Sequence, residues 1–354
     1  MPARLAAALP EPGFYETPQA RDVAHSPRLP EIATRAAAFR AEHGVPPAAD
    51  DPRRVELLAI DMQKDFCLPE GALYVGGRSG SGARDDNDRL ARFIYRNLAR
   101  LSAITCTLDT HHPFQIFFPA FWERQDGTTP EPHVEVTAED VRKGVLRPNP
   151  EIARWLSGGD EEWLTRQATF YCEQLERAGK YRLYLWPPHC LLGTDGHTLT
   201  GVIQAAHLFH AVARRTRNPI ELKGEHPLTE NYSALSPEVV ERHDGGTLAA
   251  RNTPLVDRLL AADRLIVAGE ASSHCVKSTL EDLLTEIERR DRALAERVYV
   301  LRDCMSPVAV PDPERPGSFL ADFTPQADEM LARCAAAGMH LVDSTPDMAD
   351  WPGI

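Results

Sequence analysis

The chain has 354 residues, 43% of them hydrophobic, and a formal net charge of −13. That length holds one large domain or two with a sizeable core, and the acidic balance argues against partners such as nucleic acid or an anionic membrane surface. Seven cysteines, an odd number with no CxxC pair, fit a reducing compartment better than a disulfide framework. No apolar run approaches the ~18 residues of a membrane span, and the stretch 5–9 is too short for a signal-peptide core, so a cytoplasmic protein is expected.

Residues 1–53 are rich in alanine, proline and arginine. They read as an extended arm with one short helix over 31–43, either wrapping the domain or a partner subunit or left as a loose tail. From Val55 the pattern becomes α/β. Strands are expected at 55–62, 103–108, 183–186, 219–222, 264–268 and 298–301, with a short further strand compatible at 340–342. Helical patterns lie at 85–101, 161–178, 199–216, 254–262, 273–290 and 326–337. This alternation predicts a three-layer α-β-α arrangement around a parallel sheet, and such sheets bind ligands at the carboxyl ends of their strands. The glycine-rich run 76–82 does not open a helix directly after a strand, so it reads as a loop rather than a dinucleotide fingerprint or P-loop. The segment of about 112–182 is anomalous. It carries aromatics, prolines and one good helix, with little regular pattern over 113–150, as in a substrate lid or a subunit contact.

Polar residues gather where the expected strands end. Asp61 follows the first, in Ile60-Asp-Met-Gln-Lys-Asp-Phe66; alone it is equally a cap or turn former. The second ends in Leu108-Asp-Thr-His-His-Pro113. Asp109 and His111, two apart on a nearly extended segment, point the same way and reach one metal ion. The 183–186 run leads into Trp186-Pro-Pro-His-Cys190, where two prolines stiffen the loop and fix the direction of His189. Asp109, His111 and His189 make an N₂O set suited to a divalent metal, zinc first with iron or manganese as alternatives, with positions open to water or substrate. His112 and Cys190 are further ligand candidates, less well placed. Lys223 closes the next strand and is either a solvated charge or a cation beside a thiol. Cys275 sits at the turn between the 264–268 strand and the 273–290 helix. A helix N-terminus and a nearby cation both favour thiolate; the bland alternative is a buried small hydrophobe.

Taken together, these segments resemble the isochorismatase-like cysteine hydrolases, and among them most the nicotinamidases. The resemblance rests on Ile60-Asp-Met-Gln-Lys-Asp-Phe-Cys67, Asp109-Thr-His111, Trp186-Pro-Pro-His-Cys-Leu-Leu-Gly-Thr194, Lys223-Gly224 and Gly269-Glu-Ala-Ser-Ser-His-Cys-Val276, in the family's order. It implies a six-stranded parallel sheet flanked by helices, in a hydrolase domain over 54–354 with an insertion at about 112–182. It also implies a catalytic triad of Asp61, Lys223 and Cys275, and metal ligands Asp109, His111 and His189. Ala271 and Cys275 would supply oxyanion amides, with a cis peptide at Glu270–Ala271. Phe66 and Trp186 would be aromatic walls around a flat ring. The implied activity is hydrolysis of a small amide such as nicotinamide through a thioester. The implied cofactor is a divalent metal, and relatives of this kind are often homo-oligomers. One departure is Phe117, where some nicotinamidases carry a further histidine. The long insertion is another, and it leaves open another amide, N-carbamoyl or ureido substrate. A third possibility is a non-catalytic binding protein on a hydrolase fold; its signature would be a lost triad member, and none is lost.

Overall fold

The computed structural model describes residues 7–179 and 181–354. At its centre is one six-stranded sheet. In chain order its strands are β1 (Val55–Ile60), β2 (Ala103–Asp109), β3 (Ile220–Lys223), β4 (Arg264–Gly269), β5 (Val298–Leu301) and β6 (His340–Val342). They lie in the order β6-β5-β4-β1-β2-β3, and every pairing is parallel. β1, β2 and β5 are buried along their whole length, as expected of strands covered on both faces.

The alternation of side chains along β1 divides the core into two layers. Leu57 and Ala59 pack on one side with α2 (Gly82–Arg96) and α4 (Gly201–Arg214). Leu58 and Ile60 pack on the other with α5 (Thr253–Leu260), α6 (Cys275–Arg290) and α7 (Thr324–Ala336). The chain runs from β1 outward through β2 and β3, then returns to β4 on β1's other side and continues to β5 and β6. The strand order therefore reverses between β1 and β4, and the crevice at the carboxyl ends of such a switch point is where open α/β sheets bind ligands.

Two expectations need correction. The 183–186 run is not a strand of the central sheet. The position beside β2 belongs to β3, in the register Asp109↔Lys223, and Leu183–Tyr184 pairs antiparallel with Glu135–Val136 instead. The sixth central strand is β6. The segment expected to be irregular has a core of its own, in which Ile116, Phe117, Phe118, Phe121 and Trp122 are fully buried against Tyr171, Leu164 and Leu185. Its long helix, α3 (Glu161–Ala178), coincides with the expected one. Aromatic residues clustered between prolines bury enough apolar surface to order a segment without regular periodicity.

The arm is more ordered than an extended tail. Its helix α1 (Leu29–His43) buries Ile32, Ala36 and Phe39, and Phe39 meets Phe209 of α4 at 5.4 Å between ring centroids. Phe14 and Tyr15 lie against Tyr95 of α2. No helix among the described residues is long and apolar enough to cross a membrane.

Candidate active site

Four adjacent strands, β4-β1-β2-β3, deliver the polar groups to one edge. Asp61 follows β1 with a left-handed backbone (φ 48°), which an aspartate tolerates better than most residues. Asp109 ends β2 and Lys223 ends β3, side by side in register. Cys275 is the first residue of α6, six positions after β4 ends at Gly269.

The Lys223 ammonium joins these groups. Its Nζ lies 2.8 Å from Asp61 Oδ2, 2.9 Å from Asp109 Oδ1 and 3.6 Å from Cys275 Sγ, and it donates to the carbonyl of Asn231 at 3.0 Å. Asp61 Oδ1 accepts a short hydrogen bond from Thr107 Oγ1. Asp61 Oδ2 has the ammonium beside it but receives no well-aligned hydrogen bond among the described residues. It is the oxygen free to accept a further proton. Asp61, Asp109, Lys223 and Cys275 are all buried.

Burial works against the ammonium, yet the carboxylates of Asp109 and Asp61 hold Lys223 firmly protonated, its pKa well above the ordinary lysine value. Burial also raises Asp61 above the usual carboxylate range, against the pull of Lys223. Asp109 ends well below that range, because His111 and Lys223 outweigh its burial. Cys275 departs from expectation. Burial pushes its thiol well above the ordinary value, Lys223 pulling the other way and Asp61 and Asp109 adding to the rise. The helix start and the cation do not make a resting thiolate, and the thiol has the Asp61 carboxylate beside it.

Asp109, His111 and His189 offer ligand atoms that all lie within 4.8 Å of one another, every residue buried. His111 Nε2 is 2.8 Å and His189 Nε2 3.7 Å from Asp109 Oδ2. The opposite ring nitrogens face backbone carbonyls, His111 Nδ1 that of Gly224 at 3.1 Å and His189 Nδ1 that of Pro187 at 2.8 Å. Such contacts place the proton on Nδ1 and leave Nε2 as a metal donor. Two imidazoles and a carboxylate are a common set for a zinc-like divalent ion. The balance of charge agrees, since two buried carboxylates face one ammonium. Gly224 is required here: a Cβ would come within 2.7 Å of His111 and 2.9 Å of Asp109 Oδ1. His189 reaches the site although its segment is outside the sheet, because the amide of His111 donates to the carbonyl of Cys190 and that of Leu192 to the carbonyl of His111. Among the described residues His112 and Cys190 are not part of the ligand group. Phe117 packs edge-on against His111 at 4.8 Å.

Above Cys275 lies a cleft of about 380 Å³ to its open mouth, walled by Phe66, Trp186, Tyr232, His274 and Val308, with Asp109 and His189 at its base. The peptide Glu270–Ala271 is cis. No described acceptor takes the amide protons of Ala271 or Cys275. The sequence points to Phe66 and Trp186 but not to three further contributors. Tyr232 accepts from Trp186 Nε1 at 2.8 Å. His274 is held through Ser273, whose Oγ accepts from the Val308 amide and is hydrogen-bonded to His274 Nδ1 at 2.9 Å. Thr107 fixes Asp61. An inward threonine on β2 and a histidine beside the cysteine were visible signals; the Asn231 carbonyl that receives Lys223 had none.

No protein-family model matches the chain, and no curated protein matches it. Solved structures similar to it include the yeast nicotinamidase Pnc1p bound to the inhibitor nicotinaldehyde (TM-score 0.48, 20% identity, 82% of this chain and 99% of that one). Others are PnC1 from L. infantum in complex with nicotinate (0.44, 19%, 83% and 95%) and the pyrazinamidase of Pyrococcus horikoshii in complex with zinc (0.41, 18%, 82% and 99%). Likenesses at this level carry no weight for chemistry. The architecture and the site stand on the strand order and the side-chain distances.

Removing the Lys223 charge leaves two buried carboxylates facing each other. Lys223→Met is expected to lower unfolding free energy by about 3–5 kcal/mol, the usual cost of breaking a buried pair. Urea unfolding checks this; a change under about 1 kcal/mol would mean the ammonium is solvated, as surface ion pairs are.

Proposed function

We propose that the chain is a cysteine-dependent amidohydrolase of the nicotinamidase type, acting on the carbon–nitrogen bond of a small linear amide. The observation that carries this reading is the single buried ammonium touching Asp61, Asp109 and the Cys275 thiol at once. A structural ion pair has no use for the thiol, and a structural thiol has no use for the base.

The steps follow from the protonation states. Asp61 Oδ2 takes the thiol proton while Lys223 stabilises the charges this creates. Cys275 Sγ attacks the carboxamide carbon, and the oxygen that becomes negative is received by the amides of Ala271 and Cys275. One such donor is typically worth about 2.7–4 kcal/mol of barrier. The Asp61 proton passes to the departing nitrogen and ammonia leaves, with the acyl group on sulfur as a thioester. A water molecule, deprotonated by Asp61, attacks the thioester, and the thiol regains its proton as the carboxylate product leaves. Phe66 and Trp186 hold a flat acyl group against the nucleophile. Asp109, His111 and His189 would hold a divalent ion, zinc by preference, which when bound would supply fixed positive charge for orienting the substrate. A further reading keeps the chemistry but enlarges the substrate; the aromatic residues Tyr181, Tyr184 and Trp186 favour it.

Wild-type protein given a panel of small amides that includes nicotinamide is expected to release ammonia from at least one, with Cys275→Ala slower by 10³-fold or more, a loss on the order of that for removing a catalytic nucleophile. Ammonia release by Cys275→Ala at near wild-type rate would rule out covalent catalysis, and none from any amide by wild type would favour a binding role. Activity should also fall on the acid side with an apparent pKa above the usual carboxylate range. Asp61 must be ionised to act as base, and burial raises the pH at which it protonates. A rate flat down to pH ~4 would contradict that assignment. Purified wild type should retain about one equivalent of divalent metal by elemental analysis, and His189→Ala well under half as much. Equal metal content in the two would remove His189 from the ligand set.

A further inference from the structure

Next to the catalytic cleft lies a second, larger one of about 840 Å³ to its open mouth. The two adjoin, sharing Trp186, Tyr232 and His274 as lining residues. The outer cleft adds Tyr181, Tyr184 and Phe323. Three parts of the chain meet there: the insertion, the turn that carries Cys275, and the start of α7.

The chemistry of the outer cleft is aromatic. Tyr184 and Trp186 lie 4.5 Å apart between ring centroids, His274 and Phe323 4.9 Å, and Tyr181 and Tyr232 5.2 Å. The charges at its rim already have partners. Arg182 pairs with Glu135 at 3.2 Å and Lys277 with Glu281 at 3.2 Å, so the cleft makes no demand for a charged ligand. Tyr181 keeps a buried hydroxyl that has no hydrogen-bond partner among the described residues. A mostly apolar cleft with a few polar groups is the usual character of a small-molecule site.

We propose that this outer cleft is a second substrate subsite, which receives an uncharged flat ring attached to the acyl part of an amide whose carboxamide sits at Cys275. This rests on the amidohydrolase reading and narrows it. The preferred substrate is a carboxamide with two aromatic rings rather than one. The catalytic cleft holds the ring bearing the carboxamide, and the second ring stacks among Tyr184, Trp186 and Phe323. Aromatic contacts of this kind prefer offset or edge-on approach, the arrangement these side chains already present to one another.

The test compares nicotinamide with nicotinamides carrying a phenyl group at each open ring position, using wild type, Tyr184→Ala and Phe323→Ala. The quantity read is the ratio of kcat/KM for the phenyl-substituted amide to that for nicotinamide, which does not depend on how much folded enzyme each variant yields. Wild type is expected to hydrolyse at least one substituted amide with a ratio of 1 or more, and each variant to lower that ratio by about tenfold, as loss of one aromatic contact would. A wild type that hydrolyses nicotinamide but none of the substituted amides overturns the subsite, and so does a ratio unchanged in both variants. If wild type hydrolyses neither kind, it is the amidohydrolase reading that fails. Calorimetric binding of the substituted amides to wild type and Tyr184→Ala then decides the subsite alone: weaker binding to the variant supports it, and no binding or equal binding overturns it.

Discussion

An ammonium group buried at the carboxyl edge of a parallel sheet constrains everything around it. Lys223 loses its water and must recover the loss from neighbours, which it does through Asp61, Asp109 and the carbonyl of Asn231. Two carboxylates exceed what one ammonium neutralises. The surplus negative charge is shared unequally, Asp109 staying ionised at low pH while Asp61 is pushed toward protonation. That inequality separates their roles. The readily protonated carboxylate faces the thiol and is suited to carry a proton. The firmly ionised one faces two imidazoles and is suited to hold a cation, which in turn balances the surplus.

The fold makes this arrangement reproducible. β1, β2 and β3 are neighbours, and the β2–β3 register places Asp109 beside Lys223. β4 lies on β1's other side and feeds the turn that carries Cys275. Four strand ends each contribute one group, and a one-residue slip of β3 would turn Lys223 to the opposite face. Gln63 ties the first two ends together, its side-chain amide bonding both the amide and the carbonyl of Asp109. The segment before Trp186 adds an aromatic core of its own, and Trp186 lines the same cleft as Cys275.

Much of the site was legible because strand ends are legible. Asp61, Asp109, Lys223 and Cys275 each follow an apolar run whose end is sharp in the sequence, and parallel α/β topology sends all such ends to one edge. The pairing of 183–186 was not legible. Leu-Tyr-Leu-Trp has the pattern of a buried strand whether it joins the central sheet or an insertion ribbon, and only competition for the edge of β2 decides between them. The order of residues 113–150 was hidden for a related reason, since aromatics between prolines have no period to read. The state of the Cys275 thiol is not legible from local cues. Helix start and lysine were visible, but the burial that outweighs them is a property of the assembled layers.

In the proposed mechanism Asp61 and Lys223 serve a Cys275 nucleophile that carries the acyl group during turnover. The direct measurement is acid quenching of the wild-type enzyme in the first turnover of an amide it hydrolyses, followed by intact-mass and peptide mass spectrometry. The expected result is a mass gain equal to the acyl group, confined to the peptide containing Cys275 and lost on treatment with neutral hydroxylamine, which cleaves thioesters. Continued turnover with the Cys275 peptide unmodified at every quench time, and with rates unaffected by alkylation of Cys275, would contradict it.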